Sequence, residues 1–447
     1  MKIARLFVAN RGEIALRILR SAQQLGIETV LGASDADLDS VPARVADHCV
    51  RIGAAAAARS YLDLEAVLAA ARSVRADALH PGYGFLSENA ALARACDAAG
   101  ILFVGPTAAT LQAVGDKLAA REHATAAGVP VVPGGAVHSL AECEGLMATL
   151  GYPVLIKAVG GGGGRGLRRV EAAAQLAAQW DLATAEAQTA FGDARVYVER
   201  YVSAGRHIEV QLLGDGGELV QLGTRDCSVQ RRFQKLIEEA PAPALSAALT
   251  GRITDAALAL GRALHYRGAG TVEFLVDAAR DEFYFLEVNA RIQVEHPVTE
   301  MITGVDLVAE QLAIAAGVPL RLRQAQISLR GHALECRVNA EDVEHDMRPS
   351  PGRVTRAVFP AGAGVRVDTH IEAGSVVPPY YDSLLAKIIV HAADRGAALD
   401  RMAECLAACE LAGVAVNVPL HRRILADAEF RRGAVDTGYL TRLRAAA

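Results

Sequence analysis

The feature that most constrains this chain is the repeated change of hydrophobic period across its first hundred residues. ARLFVAN is an apolar run of strand length; after Asn10-Arg11-Gly12-Glu13 the pattern turns helical, with Ile14, Ile18, Ala22 and Leu25 on one face. Asn10 and Glu13 have capping-box spacing, and Gly26 ends the helix before the next strand, ETVLGAS. LDLEAVLAAARSVRA, DALHPGY, NAALARACDAAG and ILFVGP continue the alternation of helix and strand. Strands that are apolar throughout need cover on both faces, so this order predicts a parallel α/β sheet.

At about 150 residues per domain, 447 residues make room for roughly three domains. A second region opens near Gly115 with GDKLAAREHATAAGVPVVPGG, a helix passing into a connection punctuated by Pro and Gly. Strand GYPVLIKAV, a glycine run at 160–164, strand LRRV, a long Ala-rich helix and strand RVYVERYV predict a small lid of strands backed by helices. Longer strands follow from HIEVQLLG onward, with a helix around SAALTGRITDAALALGRAL, closing on TVEFLVD and EFYFLEVN. Past Arg330, short strands (HALECRVNA, VTRAVF, GVRVDTHI) mix with a helix near the end. The expected division is 1–114 for the α/β domain, 115–330 for a second domain with its lid at about 131–203, and 331–447 for a third built on a mixed β-sheet.

Composition removes several function classes. A net charge of −5 without a basic stripe argues against nucleic acid as a partner. Asn10, Arg11 and Glu13 come too early for a signal peptide, and no later apolar run reaches spanning length, so no membrane association is expected. Seven scattered cysteines without a CxxC fit reduced thiols in a cytoplasm. The turn-spaced pair Cys405 and Cys409 reads as ordinary helix rather than a metal site.

The most informative local pattern is EVNARIQVEH. If extended, it places Glu287, Asn289, Arg291, Gln293 and Glu295 on one face and Val288, Ala290, Ile292 and Val294 on the other. A solvated edge strand has the same pattern. The preceding strand TVEFLVD shifts the balance, because a hairpin through 278–281 that faces residues 276 and 283, or their neighbours, sets Glu273 beside Glu287. Adjacent carboxylates repel unless a cation lies between them. Glu273, Glu287 and Asn289 are hard oxygen donors of the kind Mg²⁺ takes beside nucleotide phosphates, and the absence of His or Cys argues against zinc.

GGGGGRG follows the strand carrying Lys157 and would let backbone N–H groups approach phosphate, although a flexible hinge would use the same glycines. A strand rather than a helix follows it, so it is no dinucleotide fingerprint, and no P-loop sequence occurs. RDCSVQRRFQKLIEEAPAP gathers Arg225, Arg231, Arg232 and Lys235 around Gln230 and Gln234, as either a charged surface loop or an anion site. HPGYGFLSEN, at a strand end, is placed like a ligand loop, but any turn would use its glycines.

Together, ANRGEIALRILR, HPGYGFLSEN, GDK, GYPVLIKAVGGGGGRG, RDCSVQRRFQK with EEAPAP, EVNARIQVEHPVTEMITGVDL, GHALECRVNAED and PPYYDSLLAK closely resemble biotin carboxylases, collinearly from about residue 2 to 440. The resemblance implies a pre-ATP-grasp α/β domain, an ATP-grasp domain with a Gly-rich lid and a C-terminal domain. It also implies ATP- and bicarbonate-dependent carboxylation of biotin through carboxyphosphate, the first half-reaction of acetyl-CoA carboxylase or a related acyl-CoA carboxylase. Lys117 and Lys157 would bind ATP phosphates, Gly163 and Gly164 would close over them, and Glu199, Arg200, Tyr201 and Val202 would form the adenine-side hinge, with His207 near the ribose. Gln230 and Phe233 would also line the nucleotide site. Glu273, Glu287 and Asn289 would hold Mg²⁺ or Mn²⁺. Lys235, Arg291, Gln293 and the backbone of Val294 would seat bicarbonate, Glu295 would be the general base, and Arg337 would stabilise the biotin enolate with Tyr83 and Gly84 along its approach.

The chain departs from the family at Phe233, where His or Asn is common, which implies that one polar ATP contact is lost or replaced, and at Val159, where Ser is frequent. The only Met-Lys is the initial pair, so the biotin carrier and the carboxyltransferase are expected on separate chains; the resemblance also implies a homodimer formed through the first and last regions. Another ATP-grasp ligase would share Lys117, Lys157, Glu273 and Glu287 but has no need of RIQVEHP or ECRVNAED. A silent regulatory subunit would lack Glu295, Arg291 or Arg337, and all three are present.

Overall fold

The computed structural model describes residues 2–160 and 166–445. Its first layer is a five-stranded parallel sheet in the order His48–Gly53, Glu28–Ser34, Arg5–Val8, Ala78–His80, Leu102–Phe103. The central strand is apolar throughout because both its faces are covered: Phe7 packs into one core, and Leu6 and Val8 into another.

The helix Gly12–Gln24 follows, but not with the expected capping box. Its N-cap is Arg11, with no side-chain cap. Asn10 instead donates to the carbonyls of Pro81 and Tyr83, at 2.6 and 2.7 Å, and Glu13 turns inward to accept from the Tyr83 hydroxyl. The two polar residues thus tie the first strand's end to the HPGYG loop, and the helix start is left to backbone geometry.

The lid has an antiparallel sheet in the order Gly134–Val137, Val196–Arg200, Val154–Ala158, Leu167–Val170. Helices Leu140–Leu150 and Ala173–Phe191 back it, and it has a core of its own around Ile156, Val198 and Leu176.

The largest element is an eight-stranded sheet, antiparallel at every pairing: Glu282–Asn289, Arg267–Asp277, Arg206–Asp215, Leu219–Arg231, Gln234–Ala240, His332–Asn339, Leu384–Ala392, Val365–Thr369. The sequence reads the residues past Arg330 as a sheet of their own. Instead His332–Asn339 pairs with Gln234–Ala240, setting Ile237 opposite Cys336 and Glu238 opposite Glu335, so the sheet runs on across the expected boundary. The charged segment around Arg225 is also no loop. It is the hairpin of Leu219–Arg231 and Gln234–Ala240, turning at Arg232 and Phe233, both at positive φ (49° and 67°) as a two-residue hairpin turn requires. No helix among the described residues is long and apolar enough to cross a membrane.

Candidate active site

A cavity of about 680 Å³ lies where the lid, the carboxyl ends of the parallel strands and the polar face of the large sheet meet. Every described residue to which the resemblance gives a role lines it: Tyr83, Gly84, Lys117, Lys157, Glu199, Arg200, Tyr201, Val202, His207, Gln230, Phe233, Lys235, Glu273, Glu287, Asn289, Arg291, Gln293, Val294, Glu295 and Arg337. Arg225, Arg231 and Arg232 of the charged segment do not. Gly163 and Gly164 lie outside the described residues.

The floor is a row of charges running across four strands. Arg225 faces Glu209, Glu209 faces Glu273, and Glu273 faces Glu287. A bulge between Glu273 and Phe274 brings the last two into register: Val276 faces Phe283, and without the extra residue Leu286 would oppose Glu273. The two carboxyls then diverge. Burial would raise Glu273, but Lys235 and His207 outweigh it and hold the group well below the usual carboxylate range. Burial, reinforced by Glu273, pushes Glu287 up. Asn289 next to them keeps a buried Nδ2 without a hydrogen-bond partner.

The expected extended face stops at Asn289. There the chain leaves the ladder, because Glu88 of the first domain accepts the Ala290 N–H at 3.0 Å and the Arg291 Nε at 3.1 Å. The helix His296–Thr303, with Pro297 in its first turn, fixes the far end. The turn between still directs Arg291, Gln293 and Glu295 into the cavity, now by loop geometry rather than strand alternation.

Lys235 is the hub, with Nζ 2.7 Å from Glu209, 2.9 Å from Glu273 and 2.7 Å from Glu295. The other oxygen of Glu295 accepts from Arg337 at 2.7 Å, while Arg337 Nε donates to Glu238 at 2.5 Å. Burial alone would raise the Glu295 carboxyl. Lys235, Arg337 and Arg225 overcome that effect and hold it far below the usual range, so it is a buried, ionised carboxylate. Arg225, fully buried, donates to Glu209, to Gln211 at 2.7 Å and to Gln293 Oε1 at 2.6 Å; the last contact orients the Gln293 amide so that Nε2 reaches Glu273 at 2.9 Å.

At the other end, Lys157 and Arg121 both pair with Glu199. Burial pulls Lys117 down against the opposing influence of Glu287. Leu155, Leu167, Tyr201, Val202 and Leu275 make this end apolar enough for a flat ring. His207 Nε2 is 3.0 Å from Glu273. Phe233 is the departure: the residue is 56 % exposed at the hairpin apex, on the rim of the cavity.

Sequence reasoning missed Glu13, Glu88, Glu209, Glu238 and Lys387. One signal was present: His207, Glu209 and Gln211 alternate along HIEVQLLG as the polar residues of EVNARIQVEH do, which marks Glu209 as facing the same site.

The sequence of residues 2–111 matches the family model "Biotin carboxylase, N-terminal domain", 116–323 "Carbamoyl-phosphate synthase L chain, ATP binding domain", and 335–442 "Biotin carboxylase C-terminal domain". A biotin carboxylase of Nostoc sp. is 48% identical over 443 residues, covering 98% of this chain and 99% of that one. The crystal structure of a biotin carboxylase–βγ-ATP complex from Campylobacter jejuni superposes with a TM-score of 0.96 at 42% identity, covering 99% of each chain. The biotin carboxylase domain dimer of Hydrogenobacter thermophilus 2-oxoglutarate carboxylase, solved with MgADP, ADP and bicarbonate, gives 0.95 at 42% identity, covering 99% of this chain and 98% of that one.

Proposed function

The chain belongs to the biotin carboxylase family, and from that premise we propose how its cavity carries out the ATP- and bicarbonate-dependent carboxylation of biotin. The observation that carries the reading is the Glu295 carboxylate, buried, ionised and gripped between Lys235 and Arg337 at the end of the Glu273–Glu287 row.

ATP would lie with its ring against the apolar end formed by Glu199, Arg200, Tyr201 and Val202, its ribose near His207, and its phosphates over Lys117 and Lys157, with Gln230 and Phe233 at the rim. Glu273, Glu287 and Asn289 fit Mg²⁺ or Mn²⁺: two facing carboxyls, one buried and the other half-buried and pushed up by desolvation and then by its neighbour, are relieved by a divalent cation with oxygen preference. Such an ion would neutralise charge on the phosphates.

Bicarbonate would sit on Lys235, Arg291, Gln293 and the Val294 backbone. Glu295 is too weak a base while Lys235 and Arg337 both donate to it. As the anion takes up Lys235 and Arg291, part of that hold is withdrawn from Glu295 and its basicity rises. The bicarbonate hydroxyl proton passes to a Glu295 oxygen, the freed oxygen bonds to the γ-phosphorus, and the bond to ADP breaks. Carboxyphosphate then parts into CO₂ and phosphate within the cavity, phosphate takes the biotin N1 proton, and N1 bonds to CO₂. Arg337, aimed by Glu238, faces the enolate oxygen of biotin, with Tyr83 and Gly84 along its approach.

The biotin would be presented by a carrier protein, and the carboxyl group passed on by a carboxyltransferase, both on separate chains. The enzyme would work as a homodimer in an acetyl-CoA carboxylase or a related carboxylase. ATP hydrolysis measured with bicarbonate, with and without free biotin, tests the reading. Biotin is expected to stimulate turnover, and Glu295→Gln and Arg337→Ala each to lower the stimulated rate by about 10² or more. An unstimulated wild type, or variants that turn over normally, would sink it.

A further inference from the structure

Lys387, in the strand Leu384–Ala392, is fully buried and lies outside the cavity. Apolar packing commonly replaces a buried ion network at no loss of stability, so an ammonium in this position calls for a role beyond holding the fold. Its contacts reach into the other two regions of the chain. Nζ donates to the Val294 carbonyl at 2.9 Å and lies 3.0 Å from Glu13 Oε2 of the first helix, with Asp368 of the neighbouring strand 3.6 Å away.

Both principal partners lead into the reaction. The Val294 carbonyl belongs to the peptide that carries the Glu295 N–H, and the preceding carbonyl, of Gln293, accepts from His296 Nδ1 at 2.7 Å. In a trans peptide the N–H points away from the C=O, so holding the Gln293 and Val294 carbonyls fixes the directions in which the Val294 and Glu295 N–H groups point. Glu13, in turn, accepts the hydroxyl proton of Tyr83 with its other oxygen.

We propose that Lys387 is a positioning residue that joins the two halves of the site: it fixes the turn that seats bicarbonate and, through Glu13, the tyrosine on the biotin approach. This rests on the bicarbonate and biotin placements above. Lys387 touches neither substrate. Its ammonium orders one peptide and one carboxylate at once, so the loop of the first domain and the turn of the second are held by a single group from the third.

The test is the double variant Lys387→Met with Glu13→Gln, which removes both charges of the pair. Asp368 keeps its own partner Arg366, and the buried Glu335 carboxyl, which burial already raises against the pull of Lys387, is left protonated. The bicarbonate KM is expected to rise about tenfold, as for a lost hydrogen bond to a charged group, and biotin stimulation to fall by a similar factor. The ATP KM should stay within twofold, because none of the nucleotide-side residues meets Lys387. Lys387→Arg should restore part of the bicarbonate KM. Glu13→Gln alone leaves Lys387 on Val294 and should impair biotin stimulation while sparing the bicarbonate KM, which keeps the proposal open to refutation if the double variant does not fold. A folded double variant with a lowered melting temperature and both parameters unchanged would mean that Lys387 is only structural, and would overturn the proposal. Arg291→Ala, run alongside, separates the two readings: if it leaves the bicarbonate KM unchanged, the bicarbonate placement itself has failed.

Discussion

Glu238 lies one contact behind the reacting carboxylate, since the arginine it holds by Nε donates to Glu295 by another nitrogen. Burial pushes its carboxyl up to about 7, against the pull of Arg337. Above that pH the ionised group anchors the guanidinium; below it the group is protonated and the anchor weakens. Biotin-dependent kcat/KM is therefore expected to rise with pH through about 7, and Glu238→Gln to remove that inflection, read from a pH profile. Stability moves the other way. A carboxyl raised on folding binds its proton more tightly in the folded chain, so its contribution is full below the ordinary carboxylate value and is lost as pH rises through about 7. At this scale the sequence was legible where a polar residue interrupts an apolar alternation, as at Glu273 and Glu287; Glu295 was picked out by the same alternation although a turn, not a strand, carries it into the cavity. The sequence was not legible at Lys387 or Arg225, because nothing local says that a lysine or arginine will be fully buried.

Among elements, the hairpin ending in Arg232 and Phe233 shows how a turn supplies part of a site. Both residues adopt a left-handed backbone, which suits Asn or Gly and strains a bulky side chain. Phe233 is more than half exposed, so removing its ring forfeits little burial. Phe233→Asn is thus expected to leave the melting temperature unchanged or raise it by about 0.5 °C, consistent with relief of about 0.5 kcal/mol. It should also tighten ATP binding severalfold by returning a polar group to the rim. Thermal scans and titration calorimetry read the two effects, and weaker ATP binding would show that the ring itself makes the contact. The strands of the neighbouring hairpin were legible from their period, whereas those of this one were not, because its run of charged residues reads as a surface loop. The bulge that brings Glu287 opposite Glu273 was not, because one extra residue leaves no mark in the hydrophobic pattern.

For the molecule as a whole, the decisive contact is the pairing of Gln234–Ala240 with His332–Asn339. It joins segments separated by some ninety residues, which is why a reading from local period divides the sheet near residue 330 when the ladder runs through. The pairing also crosses the site, since Lys235 and Glu238 lie on one strand and Arg337 on the other. A chain ending at residue 330 would leave Gln234–Ala240 as a bare edge, with Glu238 deprived of Arg337, and Glu239 of His332 and Arg395. Buried carboxylates without partners cost several kcal/mol each, and an exposed flat strand invites pairing with other chains. The fragment 1–330 is therefore expected to aggregate rather than bind nucleotide, and the large sheet of the full chain to melt in a single calorimetric transition. A soluble fragment with a cooperative transition and ATP affinity would show that the two halves of the sheet fold independently, and that Glu295 is held well enough by Lys235 without the last region.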